Sequence, residues 1–467
     1  MNPATDELLF TYYGDDFTGS TDVLESLTAH GVPTALFLEP PTPEQVLAFR
    51  LIRPPAGQDG RLKAFGVAGL SRTMSPAQMR ATLPEVFNRI AAHPSRFFHY
   101  KVCSTFDSAP EIGNLGVATD LALDAFPSSW VPLVVAAPAL GRCCAFGNLF
   151  AQAGGTMHRL DRHPTMARHP ITPMTESDLR RHLAAMTSRR VDLIDLRTLG
   201  CPTAEASETL RRLARDSAFV LFDAVEDRHL LVVGELICTH VMAKPQLIVG
   251  SSGVQAAVCG YLAGHGGLPR MQPSTEPLGS ARRVIAIAGS AAPGTARQIE
   301  CALDLGFTDI RLDTVAVLDR ATRDHEINRV VAAAVQSVRQ DRSPLVYAAR
   351  GPEDPNLART NVRASGGTGV GPRAGTVIAA AQGEILRRLL ADVGPQRVVV
   401  AGGDTSGFAA RALRIHALEM ACPIAPGAPL CRAHVADPAL RGLEIALKGG
   451  QNGNERYFES ILRGEVL

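Results

Sequence analysis

The chain has 467 residues, of which 46% are hydrophobic and 20% are charged, and this is ordinary usage for a globular protein with two or three cores. Its 47 Lys and Arg residues nearly balance 46 Asp and Glu residues. The net charge of +1 therefore gives no reason to expect nucleic acid or an acidic membrane as a partner, and we expect small molecules instead.

Cysteine usage and hydropathy indicate a cytoplasmic protein without a membrane anchor. The nine cysteines are odd in number and include no CxxC pair, which favours free thiols in a reducing compartment. The apolar runs near 130–140 and 284–288 are shorter than the roughly 20 residues that span a bilayer, and the N-terminus has no basic region of the kind that begins a signal peptide.

In the first half of the chain, apolar β-rich runs alternate with helical patterns. The predicted strands lie near residues 8–13, 34–38, 64–69, 97–102, 132–136, 191–195 and 218–222. The predicted helices between them include 18–30, 76–93, 114–126 and 204–215. Continuous apolar strands joined by helix-length spacers predict an α/β fold with a mainly parallel sheet flanked by helices.

The first strand ends in two adjacent carboxylates, Asp15 and Asp16. One aspartate is enough to cap the helix that follows, which is a purely structural role. The second, next to Thr18 and Gly19, favours a catalytic base or a metal-facing carboxylate at the edge where open sheets bind ligands.

A second polar cluster follows the strand near 97–102. Lys101 ends that strand, and a turn with hydroxyl and acidic side chains comes next, namely Ser104, Thr105, Asp107 and Ser108. A cation with hydroxyls suits a carboxylate or a polyol, whereas the structural alternative is a solvated polar loop.

Residues 141–173 are rich in His and Arg: His158, His163, His169, Arg142, Arg159, Arg162 and Arg168. A zinc site is a poor interpretation, because three His residues on wide spacings among arginines lack the four closely paired ligands of structural zinc. The segment instead predicts a clamp for an anionic substrate, or else a solvated basic loop.

A Gly-, Pro- and Ser-rich stretch at 263–282 predicts the boundary between two domains. Beyond it, strands are predicted near residues 283–288, 309–312, 344–348, 396–401 and 442–447. A Pro- and Gly-rich stretch at 422–429 precedes the last of them, and the Gly-rich segment 362–376 predicts a mobile loop.

The sharpest signature of the chain lies at 397–413, where an apolar strand runs into Gly402, Gly403, Asp404, Thr405 and Ser406 and then into a helix. Glycines allow backbone N–H groups to approach a ligand, and the positive end of the helix dipole favours a phosphate. Two further strands end in the related corners Gly289-Ser290 and Lys448-Gly449-Gly450. Each could be a helix cap alone, but together they favour one nucleotide site at a shared sheet edge.

Several common enzyme signatures are missing from the sequence. It contains no GxSxG elbow and no Walker A motif, and His325-Glu326 lacks the second His of a metalloprotease helix. A dehydrogenase is disfavoured because no GxGxxG follows the first strand.

These motifs resemble the four-carbon acid sugar kinase family nearly end to end. The acidic motif corresponds to residues 14–19, the substrate segment to 101–108, and the nucleotide motifs to Gly289-Ser290 with Thr295 and Gln298, to 402–406 and to 448–450. The CSTFDS stretch at 103–108 is more similar to the 3-oxo-tetronate kinase branch than to the branch with a Ser-Thr-Leu-Arg-Gly-Asn stretch. Asp404 stands where the family usually has Glu, and Gly449 stands where it has Ser.

The resemblance implies a sugar-acid-binding domain at 1–263, a linker at 264–282 and an ATP-binding domain at 283–467, with the active site in the cleft between them. It implies a kinase that uses ATP and Mg²⁺ to phosphorylate a terminal hydroxyl of 3-oxo-tetronate, threonate or erythronate. The unusual His and Arg density at 160–173 leaves a branched acid such as 3-oxo-isoapionate as an alternative.

The resemblance also suggests roles for individual residues. Asp16 is the expected base, with Asp15 as its neighbour, and the choice between them stays open. Arg72 is expected to face the substrate carboxylate, because a guanidinium fork matches a carboxylate with two hydrogen bonds. The other expected substrate residues are Lys101, Ser104, Thr105, Asp107, Arg162 and His163. The expected ATP residues are Ser290, Gly402, Gly403, Asp404, Thr405, Ser406, Lys448, Gly449 and Gly450, while the metal ligands stay unknown.

One rival class survives at this point, a two-domain protein that binds a sugar acid without chemistry. The pairing of an acidic corner with nucleotide corners favours the kinase, because a binding protein has no use for both. The sequence leaves two points open: which acid is the substrate, and whether the protein is a monomer or a homo-oligomer.

Overall fold

The computed structural model describes residues 7–54, 58–169, 171–215, 218–242, 244–268, 278–365 and 371–467. The chain forms two compact units, Met1–Pro273 and Ser274–Leu467. Of the predicted linker at 264–282, residues 269–277 lie outside the described residues.

The first unit contains both strands and helices throughout its length. Its strands are β1 (Leu8–Gly14), β2 (Thr34–Phe37), β3 (Ala64–Ala68), β4 (Ser95–Lys101), β5 (Trp130–Val134), β6 (Arg142–Ala145), β7 (Asn148–Ala153), β8 (Thr156–Arg159), β9 (Val191–Ile194), β10 (Ala218–Phe222) and β11 (Gln246–Gly250). Its helices are α1 (Phe17–Ala29), α2 (Pro43–Ala48), α3 (Pro76–Ala91), α4 (Leu115–Ala125), α5 (Leu179–Ala184), α6 (Leu196–Leu199), α7 (Thr203–Leu213), α8 (Asp227–Thr239) and α9 (Gly253–Gly264).

The main sheet of the first unit is parallel, with the strand order β2-β3-β1-β4-β11-β5-β10-β9. Every residue of β1, β5, β10 and β11 is buried, as expected for strands covered by helices on both faces. The chain runs from β1 to β2 and β3 on one side and then crosses to β4 on the other. The sheet therefore has a topological switch point between the carboxyl ends of β1 and β4, where open α/β sheets bind ligands.

A small antiparallel sheet, β6-β7-β8, lies within the His- and Arg-rich segment. Its first turn is held by Asp223, the residue after β10, whose carboxylate accepts the backbone N–H groups of Phe146 at 2.6 Å and Gly147 at 2.9 Å. Phe146 and Gly147 both have positive φ, at 52° and 80°, and the two hydrogen bonds stabilise that left-handed turn.

The second unit begins with β12 and again alternates strands with helices. Its strands are β12 (Val284–Ala288), β13 (Thr308–Arg311), β14 (Pro344–Tyr347), β15 (Arg397–Ala401), β16 (Ile415–Ala425), β17 (Ala428–Val435) and β18 (Glu444–Lys448). Its helices are α10 (Pro293–Asp304), α11 (Thr314–Leu318), α12 (Arg323–Arg339), α13 (Pro355–Ser365), α14 (Gly371–Val393), α15 (Gly403–Ala412) and α16 (Tyr457–Arg463).

The sheet of the second unit has the order β13-β14-β12-β15-β18-β17-β16. Its first five strands are parallel, β17 is antiparallel to β18, and β16 is antiparallel to β17. The start of this unit repeats the start of the first one, because β12 leads to β13 and β14 on one side and then to β15 on the other. A second switch point therefore lies between the carboxyl ends of β12 and β15. The prediction of two mainly parallel α/β sheets flanked by helices is confirmed.

In the second unit, one stretch contains strands that were not predicted, and one loop prediction was wrong. The stretch 422–429 is a β-hairpin in which β16 runs through Pro423 to Ala425, with register shifts near the proline and a turn at Gly427, whose φ is 69°. The segment 362–376 is helical at both ends, because α13 reaches Ser365 and α14 begins at Gly371, and residues 366–370 lie outside the described residues. Pro372 falls in the first turn of α14, where a missing N–H costs little.

The prediction also omitted several elements of the first unit: β6, β7, β8, β11, α8 and α9. Among the described residues, no helix is long and apolar enough to cross a membrane.

Candidate functional site

The strand β1 delivers Asp15 to the switch point of the first unit, where it is almost wholly buried at 1% exposure. Its carboxylate faces Arg72, which follows β3. Arg72 Nε donates to Asp15 Oδ2 at 3.1 Å, and Nη2 donates to Oδ1 at 2.7 Å. Burial raises the pKa of Asp15 to about 6, although the Arg72 guanidinium opposes this shift.

Asp16 begins helix α1 as its N-cap. Its Oδ1 accepts the backbone N–H of Gly19 at 2.8 Å and also accepts Arg72 Nη2 at 2.9 Å. No hydrogen bond from the described residues reaches the other carboxylate oxygen, Oδ2, and the side chain is 27% exposed. Asp16 thus combines the structural role of a cap with an oxygen that is open to a ligand.

Lys101 reaches the same place from the end of β4. The register of the sheet sets Gly14 opposite Lys101, so Lys101 lies beside the start of the Asp15-Asp16 pair. Its Nζ is 3.3 Å from Asp22 Oδ2, on helix α1. Burial has the largest single effect on the pKa of Lys101 and lowers it. The Asp22 carboxylate, with smaller contributions from Cys103, Asp16 and Asp15, outweighs burial, so the net shift is upward and the ammonium keeps its charge.

The turn after Lys101 is tied together by its own side chains. Cys103 Sγ lies 2.9 Å from Thr105 Oγ1, which donates to Asp107 Oδ1 at 2.6 Å. Ser104 is half-buried in the same turn, and Phe106 has a φ of 59°. Burial, followed by the Asp107 charge, raises the pKa of Cys103 to about 11, so this thiol is protonated at neutral pH.

The structure does not join the two residues chosen from the His- and Arg-rich segment to the aspartates. Arg162 is exposed, and His163 is buried with Nδ1 accepting the backbone N–H groups of Thr165 at 3.2 Å and Met166 at 3.1 Å. Burial, and next the Arg142 guanidinium, lower the pKa of His163, which suits a neutral ring that accepts these bonds. No hydrogen bond within the described residues links either side chain to Asp15 or Asp16.

In the second unit, the strand ends that were predicted to form one site stand in one row. The register aligns Ala288 of β12 with Ala401 of β15, and Ala401 with Lys448 of β18. The three nucleotide corners therefore follow directly at the same sheet edge. They are also cross-linked through the backbone, because Gly289 N donates to Ala401 O at 2.9 Å and Gly402 N donates to Lys448 O at 2.8 Å.

Two glycines in this row have opposite surroundings. A Cβ on Gly289 would lie 2.0 Å from Thr405 Oγ1 and 2.5 Å from Gln382 Oε1, so only glycine fits there. A Cβ on Gly403 would have no atom within 4 Å, and this residue begins helix α15. The open space lies at the N-terminus of a helix, where an anion is favoured.

A cavity of about 420 Å³ opens beside these corners, which is within the range of small-molecule sites. Most of its lining is small or apolar. The lining residues are Gly289, Ala291, Thr314, Ala348, Ala349, Leu357, Thr360, Asn361, Ala374, Gly375, Ile378, Ala379, Gln382, Asp404 and Thr405. An apolar slot next to an open helix N-terminus suits a flat base joined to phosphates.

Lys448 is fully buried, and its Nζ donates to Gly449 O at 2.8 Å and lies 5.6 Å from the centre of the Tyr457 ring. None of the ion pairs among the described residues includes it. Burial lowers the pKa of Lys448 to about 7. An anion arriving beside this lysine would restore its charge.

Ser290, Thr405 and Ser406 all use their hydroxyls within the fold. Ser290 Oγ accepts Ala292 N at 3.1 Å, and Thr405 Oγ1 donates to Gln382 Oε1 at 3.2 Å. Ser406 Oγ lies 3.4 Å from Val400 O. Among the described residues there is also no group of three or more His, Cys, Asp or Glu side chains that could hold a metal ion.

Sequence reasoning did not select Asp22 or Gln382, nor the cavity residues on α11, α13 and α14. Asp22 lies seven positions after Asp15 on a helix that looked merely amphipathic. Gln382 is fully buried and also donates to Ala288 O at 3.1 Å, which ties α14 to the end of β12. Its available signal was a polar residue directly after the apolar run 377–381.

Two family models match the chain. One is the sugar-binding N-terminal domain, over residues 10–258, and the other is the nucleotide-binding C-terminal domain, over residues 285–458. A 3-oxo-isoapionate kinase of Paraburkholderia graminis is 43% identical over 460 residues, which cover 98% of this chain and 95% of that protein. A 3-oxo-tetronate kinase of Cupriavidus necator is 29% identical over 452 residues, which cover 96% of this chain and 95% of that protein.

Solved structures agree with the fold. A protein of Salmonella typhimurium LT2 matches with a TM-score of 0.72 and 27% identity, over 97% of this chain and 98% of that chain. The matches with kinases confirm the predicted enzyme class over the rival of a non-catalytic binding protein. The chain belongs to the four-carbon acid sugar kinase family, with a sugar-binding domain in its first unit and a nucleotide-binding domain in its second.

Proposed function

We propose that the protein transfers the γ-phosphoryl group of ATP to a terminal hydroxyl of 3-oxo-isoapionate. The observation that supports the reaction is the open Oδ2 of Asp16, held beside Arg72 at the switch point of the sugar-binding unit. The 43% identity with a 3-oxo-isoapionate kinase supports the choice of acid. The linear acids 3-oxo-tetronate, threonate and erythronate form the second candidate class, which the 29% identity with a 3-oxo-tetronate kinase favours.

In the proposed mechanism Asp16 orients the acceptor hydroxyl through Oδ2 and accepts its proton as the oxygen bonds to the γ-phosphorus. The bond between that phosphorus and the β,γ-bridging oxygen breaks, and ADP leaves with the bonding electrons. Because Gly19 and Arg72 both hold Oδ1, Oδ2 keeps a fixed direction toward the ligand. Such positioning is a large part of what a protein contributes to phosphoryl transfer.

The cations of the first unit would bind the acid group. Arg72 already uses Nε and Nη2 on the aspartates, and Nη1 makes no hydrogen bond within the described residues. Lys101 is also charged, and its ion pair with Asp22 engages one side of its ammonium group. A carboxylate held by Arg72 Nη1 and Lys101 would leave the far end of the substrate for Asp16. Ser104, Thr105 and Asp107 are proposed to bind the hydroxyls between these ends.

The second unit would bind ATP, with the adenine in the cavity of about 420 Å³ and the phosphates at Gly402–Ser406. Open space at Gly403 fits a phosphate, and Lys448 supplies a cation at the adjacent corner. Mg²⁺ bound to the triphosphate would offset its charge, and Asp404 offers an oxygen ligand of the kind that Mg²⁺ prefers. We also propose a cytoplasmic location, which the odd number of cysteines and the lack of a CxxC pair favour.

A substrate panel tests this proposal. ATP consumption should be measured with 3-oxo-isoapionate, 3-oxo-tetronate, threonate and erythronate under identical conditions. The expected result is the highest kcat/KM for 3-oxo-isoapionate. A higher kcat/KM for a linear acid would move the assignment to the second class, and no turnover with any of the four acids would contradict it.

A further inference from the structure

Helix α10 holds the loop that follows β18, residues 449–454. Thr295 donates its hydroxyl to Gly450 O at 2.9 Å. One turn later, Gln298 Nε2 lies 3.0, 3.1 and 2.9 Å from the carbonyl oxygens of Asn452, Gly453 and Asn454. Three successive carbonyls therefore converge on a single amide nitrogen, which has two hydrogens to give.

The other end of the same amide has no partner. Gln298 is fully buried, and its Oε1 makes no hydrogen bond among the described residues. A reversed amide would set Oε1 against the three carbonyls, so the contacts fix its orientation. An unpaired buried oxygen is unfavourable, and an apolar side chain of similar size would avoid it. Simple core packing therefore does not account for glutamine at this position.

The loop that Gln298 holds forms part of the nucleotide corner. It begins directly after Lys448, whose carbonyl accepts Gly402 N at 2.8 Å. At its start, a Cβ on Gly450 would lie 2.2 Å from Ser290 Oγ, so the loop backbone packs directly on the corner after β12. A displacement of the loop would therefore move the backbone beside all three strand ends.

We infer that Gln298 is a positioning residue for ATP, which sets the backbone of residues 449–454 so that Lys448 and the adjacent glycines face the phosphates. The inference rests on the proposed function, because it requires ATP in the second unit. Gln298 lies on the second turn of α10 and acts through the loop, without a contact of its own to the nucleotide.

Two substitutions of similar size separate positioning from packing. Gln298→Met removes the donor at every pH. Gln298→Glu removes it only while the new carboxyl is ionised, and both burial and the three carbonyls favour its protonated form, which donates again. The measurement is the Kd for ATP by titration calorimetry between pH 6 and pH 8, with each value divided by the wild-type Kd at the same pH. This ratio cancels the titration of groups that all the proteins share.

At pH 8 both variants are expected to bind ATP at least tenfold more weakly than the wild type. At pH 6 the Glu variant should recover most of this loss, whereas the Met variant should not. The KM for the sugar acid should stay within about twofold. Thr295→Val keeps the side-chain shape and loses the contact with Gly450, so it should weaken ATP binding about threefold even if the Gln298 variants fold poorly.

The inference would be overturned if the Kd for ATP of both Gln298 variants stayed close to the wild-type Kd. It would also be overturned if Gln298→Met and Gln298→Glu weakened ATP binding equally at every pH. A wild-type protein that binds no ATP would overturn the proposed function itself. Wild-type binding with unaffected variants would overturn the inference alone, so the two failures are distinguishable.

Discussion

Arg72 and Asp15 form a bidentate ion pair at the end of the first strand, with Nη2 2.7 Å from Oδ1 and Nε 3.1 Å from Oδ2. The pair is closed further by the backbone, since Arg72 N donates to Asp15 O at 3.0 Å. The guanidinium fork that suits a substrate carboxylate is thus used within the protein, and Nη1 is the nitrogen that makes no hydrogen bond among the described residues.

Replacement of Arg72 by Lys should therefore disturb the acid site in two ways. The charge remains, but both the fork on Asp15 and the Nη1 group are lost. We expect the KM for the sugar acid to rise by about tenfold or more, with a lower kcat, while the KM for ATP stays within a few-fold. Steady-state kinetics with each substrate varied in turn measure both constants. Arg80→Lys, at an exposed position of α3, is the matched control.

A change confined to the KM for ATP would contradict the assignment of Arg72 to the acid. A sugar alcohol without a carboxylate should show the lower kcat of Arg72→Lys but no comparable rise in KM, because it has no group for the guanidinium to hold.

Asp16→Asn should keep the fold and lose the reaction. An amide oxygen can still accept the Gly19 N–H that caps α1, but it cannot take a proton from the acceptor hydroxyl. We expect turnover to fall by roughly two or more orders of magnitude with an unchanged Tm. Asp178→Asn is the matched control, because Asp178 caps α5 in the same way. Near wild-type turnover in Asp16→Asn would show that Asp16 is not the base.

The pKa of Asp15, raised by burial to about 6, predicts a pH dependence of activity and of stability. Below about pH 6 the carboxyl takes up a proton and releases the Arg72 fork, so kcat/KM for the acid should fall on the acidic side. The folded protein holds this proton more tightly than the unfolded chain does. Asp15 therefore lowers the free energy of unfolding as the pH rises from about 4 to about 6.

Asp15→Asn should flatten both profiles, since an amide does not titrate in this range. Denaturant unfolding of the wild type and the variant at pH 4 to 7 measures the stability effect. If Asp15→Asn showed the same pH dependence as the wild type below pH 6, that dependence would belong to a group other than Asp15.

The two glycines of the nucleotide corner should respond differently to valine. Gly403→Val has room in the free protein, so it should leave Tm nearly unchanged and abolish ATP binding by blocking the approach of the phosphate to the backbone. Gly289→Val would press on Thr405 and Gln382 and should lower Tm. Calorimetric titration with each ligand and a thermal melt measure these effects. An equal loss of acid and ATP binding in Gly403→Val would point to misfolding instead.

The pKa of Lys448, lowered by burial to about 7, predicts proton uptake when ATP binds. At pH 8 the free lysine is mostly neutral, and phosphates beside it would raise its pKa and charge it. Calorimetry in buffers of different ionisation enthalpy should show uptake approaching one proton at pH 8 and little at pH 6. Lys448→Met should abolish the uptake. Equal uptake in this variant and in the wild type would exclude Lys448 as its source.

The sequence predicted the α/β class and most strands within a few residues, because a strand buried on both faces must be apolar along its whole length. It also placed Asp15, Asp16 and the corners at 289 and 402 after strands, since glycine and aspartate mark the turns that end them. Elements with weak periodicity were missed. The hairpin of β16 and β17 contains Pro423, and its turn at Gly427 looked like a loop.

The amino-acid sequence alone thus determined the two parallel sheets, the family and the chemical types of the candidate site residues, because these depend on local patterns of burial and turn formation. Only the tertiary structure decided which side chains meet. Arg72 comes 57 positions after Asp15, and Gln298 comes 154 positions before Asn452, so neither contact has a local signal. Strand order and register bring such residues together, and both are set by the packing of the whole sheet.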